Sequence, residues 1–217
     1  RWGLHSVRGG SLGQRPMRAG GTVSLIRHMG GIWGPIGFCG AAVIAARRHP
    51  GYSHISDHVS GLAARGERSA RVMVPGFLVL GASSLLTPAP NAALTRLMRV
   101  AGMTSIAAGL IQVSEPRCPQ PGRDPSATAS DVGHGAASIA TFVLWTAMPF
   151  VARRSVGSAS YRLVNGALIV AAPAGLVAAG LTTRADSPLK GLAQRAFLAA
   201  VFAWHAATAI VRTFETE

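Results

Sequence analysis

Residues 50–65, PGYSHISDHVSGLAAR, form a polar stretch between two apolar ones and hold the side chains best suited to chemistry. With the residue just before it, the stretch gathers His49, His54 and His58, three of the seven histidines. His54 and His58 stand at i, i+4, so on a helix their imidazoles share a face and could share a metal ion. Asp57 and Ser60 lie beside them as a candidate base and a candidate hydroxyl, with Tyr52 and Ser53 as polar lining of a pocket. Ile55, Val59 and Leu62 recur at i, i+4 and i+7, the stripe of a short amphipathic helix at an interface, which Ser53 or Ser56 would cap. The plainer reading of these residues is that Asp and Ser satisfy backbone groups while the histidines meet headgroups.

A third ligand is available in RCPQPGRDPSATASDVGHGAAS, where Asp131 and His134 stand at i, i+3 and Ser138 follows one turn later. Zinc held by His54, His58 and His134 would lower the pKa of its bound water and generate hydroxide, with Asp57 or Asp131 as the base or as a ligand-orienting partner. A histidine at the mouth of a helix also serves as a cap or hydrogen-bonding residue. His205 follows Trp204 deep in the last apolar segment, and Arg195 opens that segment. An ionisable side chain inside an apolar span is costly and points to function or to one internal hydrogen bond.

The elements that must position these groups are apolar. Only 13% of the residues are charged and 49% are hydrophobic, against about 25% charged in soluble chains. Six apolar segments, Met29–Ala46, Val72–Ala89, Leu97–Val113, Gly133–Ala152, Leu163–Leu181 and Gly191–Val211, are each near the ~20 residues that cross the hydrocarbon. They carry almost no polar stripe, unlike the helices of a soluble bundle. Gly30, Gly34, Gly37 and Ala41 in the first, and Ala167, Ala171, Gly175 and Ala179 in the fifth, predict close helix contact. The expected fold is therefore all-α, an integral membrane bundle of six transmembrane helices with a short interfacial helix in the first connector.

Six spans place the first, third and fifth connectors on one face, and these carry six of the eight acids as well as His49, His54, His58 and His134. The polar stretch and the Asp131–His134 loop thus share a face. Residues 1–28 read as a disordered basic arm, or as sequence upstream of an initiator at Met17 or Met29; 29–212 form the membrane domain and 213–217 a tail. The basic arm favours cytoplasmic termini in the plasma membrane. The net charge of +13 is spread between apolar segments, which excludes the clustered footprint of a nucleic-acid binder. Cys39 and Cys118 read as unpaired thiols. There is no Walker loop, no GxGxxG opening a helix, no GxSxG elbow at the end of an apolar strand and no HExxH.

The succession of an apolar span, Gly51-Tyr52-Ser53, Val59-Ser60 with Leu62 and Gly66, then His134-Gly135 entering the fourth span, and Gly191-Leu192 with Arg195 and Trp204 in the last, resembles the prokaryotic membrane proteins of domain of unknown function 998. The resemblance covers about residues 29–212 and implies a six-helix integral membrane protein of unassigned activity. The histidines at 54 and 58 are not features the resemblance carries. Three functions follow as expectations. The first is a lipid-handling or membrane-assembly protein with an outward-facing polar pocket, whose partners are membrane lipids and a helix partner or second copy. The second is a zinc-dependent hydrolase acting on a lipid. The third is a small-solute transporter with His205, Ser83, Ser84, Thr104 or Ser105 lining its path.

Overall fold

The computed structural model describes residues 29–119, 122, 124–153, 155 and 159–215. The expected arm 1–28 lies outside them. The described residues are helical without strands, in the order α1 (Gly30–Arg47), a 3-10 turn (Val59–Ala63), α2 (Ala70–Leu86), α3 (Ala92–Leu110), α4 (Ala129–Ala152), α5 (Ala159–Arg184) and α6 (Lys190–Glu215). Each helix packs against its neighbours in the chain, and α6 returns to α1, which closes a ring. The seam between α4 and α5 is the thinnest of those between chain neighbours.

Local chemistry sets several ends away from the apolar boundaries. α3 starts at Ala92 because Asn91 accepts the Leu94 N–H at 2.8 Å. α4 starts four residues before Gly133 because Thr128 and Asp131 form a reciprocal capping box. α6 runs through the expected tail as far as Glu215.

Small residues let α1 lie close on α2. A Cβ on Gly34 would fall 1.9 Å from the Ser83 hydroxyl, and one on Gly37 would fall 2.8 Å from Val79. Gly81 and Gly102 approach each other likewise, each Cβ position being 2.6 Å from the other's carbonyl oxygen. In α5 the expected stripe makes only part of its contact. Gly175 meets Phe197 of α6, whereas Ala167 and Ala171 are exposed.

The polarity of the molecule is inverted relative to a soluble bundle. Ser83, Ser84, Ser105, Thr141, Asn165, His205 and Thr208 are buried, while Ile36, Val79, Met103, Ile139, Leu163 and Ile210, one from each helix in turn, point outward. Ser83 and Ser84 both donate to the Leu80 carbonyl, which satisfies their hydroxyls inside α2. Ala129–Ala152, Tyr161–Arg184 and Lys190–Val211 are long and apolar enough to cross a membrane, and Ala70–Leu86 is a shorter apolar helix. These helices mark a membrane protein.

The first connector corrects one expectation. The short helix in it is a 3-10 turn whose five residues are all buried, so it is a plug in the bundle and not an amphipathic helix at the interface. His54 and His58 do not share a helix face, because the chain turns between them, with the Asp57 N–H donating to the Ser53 carbonyl, and leaves the turn extended at His58.

Candidate functional site

The polar end of the bundle is built where the first, third and fifth connectors meet. Gly191, at the start of α6, lies so close to the first connector that a Cβ there would be 2.4 Å from the Asp57 carbonyl oxygen. The next residues grip the same segment. Leu192 N–H donates to the Ile55 carbonyl at 2.8 Å, Gln194 Oε1 accepts the Val59 N–H at 2.8 Å, and Arg195 donates to the Asp57 carbonyl at 2.9 Å and to the Tyr52 hydroxyl. The Arg195 guanidinium also stands over the Tyr52 ring, 5.6 Å from its centroid. Burial pushes the Tyr52 phenol up to about 12, against the opposing pull of Arg195, so it remains a neutral hydrogen-bonding group. Asp57 is spent locally, accepting from the Ser53 N–H at 2.7 Å and the Ser56 hydroxyl at 3.3 Å.

The third connector docks on the other side of the 3-10 turn. A Cβ on Gly61 would be 2.1 Å from the Pro116 carbonyl oxygen, Arg65 N–H donates to the Val113 carbonyl at 2.9 Å, and Gln112 donates to the Ala63 carbonyl at 3.1 Å. Asp131 ties this connector to α4, accepting from the backbone and hydroxyl of both Ser114 and Thr128. Next to it, His134 Nδ1 lies 2.8 Å from the Ala108 carbonyl and 2.9 Å from that of Ile111. Carbonyls only accept, so Nδ1 carries the hydrogen and Nε2 presents its lone pair. The Ser138 hydroxyl is 3.2 Å from Nε2 and donates to it.

Between α4 and α5 these groups open onto a cavity of about 720 Å³. Its inner end is polar, with His58, Ser60, Asp131, His134, Ser138 and Thr183. Along the helices it is apolar, with Val132, Ile139, Phe142, Leu176 and Ala179. Val132 and Ile139 are exposed, and Cβ positions on Gly135 and Gly180, which face the gap from the two helices, would meet nothing within 4 Å. The cavity therefore opens sideways, between the helices. A more polar hollow of about 530 Å³, with Arg117, Arg184 and Lys190, adjoins it through His58, Cys118 and Thr183. The Cys118 thiol is pushed up to about 12 by burial and stays protonated; it forms no disulfide with Cys39.

A family model described as "Protein of unknown function (DUF998)" matches residues 32–211. The chain belongs to the DUF998 family. Comparison with curated proteins and with solved structures gives no match. The motifs that carried the resemblance to DUF998 proteins in the sequence meet in space. Gly191, Leu192 and Arg195 clasp the segment that begins at Gly51-Tyr52-Ser53, and His134-Gly135 borders the cavity.

Of the expected ligands, His54 is exposed and lies edge-on to Tyr52, His58 Nε2 is 3.3 Å from the Thr183 hydroxyl, and His134 is engaged as described. Among the described residues of this DUF998 member, no three His, Cys, Asp or Glu side chains stand where they could hold a metal ion. The described residues thus give the zinc reading no support: His58 and His134 reach one cavity, but His54 does not line it and each of the other two has a protein partner. His205 is buried against Trp145 and Trp204, far along α6 from this end. Sequence reasoning passed over Thr183 and gave Ser138 no role of its own. The His134–Ser138 spacing of one helical turn was the available signal.

His58 also makes stability depend on pH. Burial, and then the charge of Lys190, hold its pKa below the ordinary 6.5. The unfolded chain therefore binds the proton first as pH falls, so this contribution is complete above 6.5 and declines below it. Thermal unfolding in detergent at pH 7.5 and 5.5 is expected to show a smaller acid loss in His58→Gln than in wild type. Equal losses would remove His58 from this account.

Proposed function

We propose that this protein is a six-span membrane protein that holds an amphipathic lipid in the α4–α5 cavity, with the chain between the helices and the polar head against the connectors. One observation carries the reading: a cavity with a polar inner end and an apolar length, opening sideways between two helices whose outer faces are apolar. A soluble ligand would enter from the loop end, whereas a sideways opening at this depth is served by the bilayer. The volume is within the ~300–1,000 Å³ range of small-molecule sites.

The six spans are supported by the outward apolar residues on every helix. The shortest helix, α2, has 17 residues, or about 26 Å at 1.5 Å per residue, close to the ~30 Å hydrocarbon core. In this arrangement the connectors that close the polar end face away from the cytoplasm, and the termini and the basic arm face it, in the plasma membrane.

Native mass spectrometry in mild detergent tests the binding. Wild type is expected to carry a lipid adduct. Gly180→Trp, which fills the gap between α4 and α5, is expected to lower occupancy by about tenfold, equivalent to ~1.4 kcal/mol. Gly40→Trp is a control on the exposed face of α1, where a Cβ also meets nothing within 4 Å. An adduct that persists unchanged in Gly180→Trp would overturn the reading.

A further inference from the structure

Across a wall formed by Ser60, Ser138 and Phe142, the cavity borders a chamber of about 20 Å³ inside the bundle. That is room for one water-sized group. Ser105 and Trp145 line the chamber, each only 2% exposed, and the Ser105 hydroxyl and the Trp145 Nε1–H have no hydrogen-bond partner. Two orphaned donors on side chains that line one small space are expensive unless something with an acceptor oxygen reaches them. In the wall between the two stands Ser138, whose hydroxyl donates to the free lone pair of His134, while the other ring nitrogen is held by two carbonyls.

We propose that Ser138 is the nucleophile of an ester-cleaving site, with His134 as its base and the Trp145 and Ser105 donors as the cradle for the oxyanion. The substrate is the acyl ester of a lipid lying in the α4–α5 cavity, so the proposal rests on the lipid-binding reading above. In the first step Ser138 Oγ bonds to the ester carbonyl carbon and its proton passes to His134 Nε2. The carbonyl oxygen becomes an oxyanion in the chamber and takes the Trp145 N–H and the Ser105 O–H. Collapse breaks the bond to the alcohol oxygen, which takes the proton back from His134. Water then repeats the sequence on the acyl-serine and releases the fatty acid. The Ala108 and Ile111 carbonyls stand where a carboxylate stands in a serine triad: they fix the tautomer and stabilise the imidazolium.

A long-chain alkyl fluorophosphonate tests this, because the serine oxygen bonds to phosphorus as fluoride leaves and the adduct can be mapped. Wild type in mild detergent is expected to be labelled at Ser138. Ser138→Ala is expected to lose the label. Trp145→Phe keeps the ring and removes one donor, and is expected to slow labelling by about 100-fold or more; it serves as the second variant if Ser138→Ala does not fold. Labelling at Ser60, labelling that survives Ser138→Ala, or a wild type that takes up no probe would overturn the ester-cleaving site. An unlabelled wild type whose lipid adduct still depends on Gly180 leaves the binding reading standing, so the two failures are distinguishable.

Discussion

Gly191→Ala is expected to release the first connector from α6 and to destabilise the protein by about 3 kcal/mol, at the upper end of the cost of overpacking. The added methyl would stand 2.4 Å from the Asp57 carbonyl oxygen, 2.8 Å from the Asp57 nitrogen and 2.8 Å from the Ile55 carbonyl oxygen. All three are backbone atoms, so no side-chain rotation relieves the clash and the connector itself must retreat. Its retreat would lengthen the Leu192–Ile55, Gln194–Val59 and Arg195–Asp57 hydrogen bonds together. Because the connector also carries His58 and Ser60 to the cavity, lipid occupancy should fall with stability. Gly180→Ala is the matched control, since its Cβ meets nothing within 4 Å and alanine is the better helix former by up to ~1 kcal/mol. Unfolding in mixed micelles at increasing SDS would measure both. A Gly191→Ala protein as stable as Gly180→Ala would show that the connector is not clamped in this way.

The pattern behind that clamp was partly legible in the sequence. The apolar segments, and the sharing of one face by the first, third and fifth connectors, followed from composition and length, because a helix that crosses hydrocarbon must be apolar for a fixed distance. The expected close face of α1 was correct, since Gly34 and Gly37 meet α2. The connector departs from its sequence pattern because i, i+4 histidines share a face only where the backbone is helical. Asp57 instead accepts the Ser53 N–H and stabilises a turn. Asp131 by itself reads as a candidate base, yet Thr128 stands three residues before it. That spacing is a capping signature, and the structure fills both carboxylate oxygens with donors. The cavity was beyond sequence reasoning, because it depends on how far α4 diverges from α5. Gly135 and Gly180 look like packing residues in the sequence yet face open space.

A buried amide ties α4 to α5 despite that divergence, and its loss is the second large effect. Asn165 on α5 donates to the Pro149 carbonyl of α4 at 2.9 Å and accepts the Trp204 Nε1–H of α6 at 2.8 Å. It is 3% exposed and joins three helices at a seam with few other contacts. Asn165→Leu keeps the branched side-chain skeleton but removes both bonds, leaving the Trp204 N–H with no partner in an apolar interior. Interhelical hydrogen bonds in membranes are worth ~0.6–2 kcal/mol each, and an orphaned buried donor adds to that, so a loss of about 2–3 kcal/mol is expected. Tyr161→Phe removes the hydroxyl contact with Thr208 between α5 and α6 and should cost ~0.6 kcal/mol. The asymmetry is the informative part, because Asn165 also closes the seam on which the cavity depends. Lipid exchange followed by native mass spectrometry should therefore accelerate in Asn165→Leu and stay unchanged in Tyr161→Phe. If the two variants lose equal stability, or exchange lipid at equal rates, the α4–α5 seam is held by packing alone and Asn165 is not its pin.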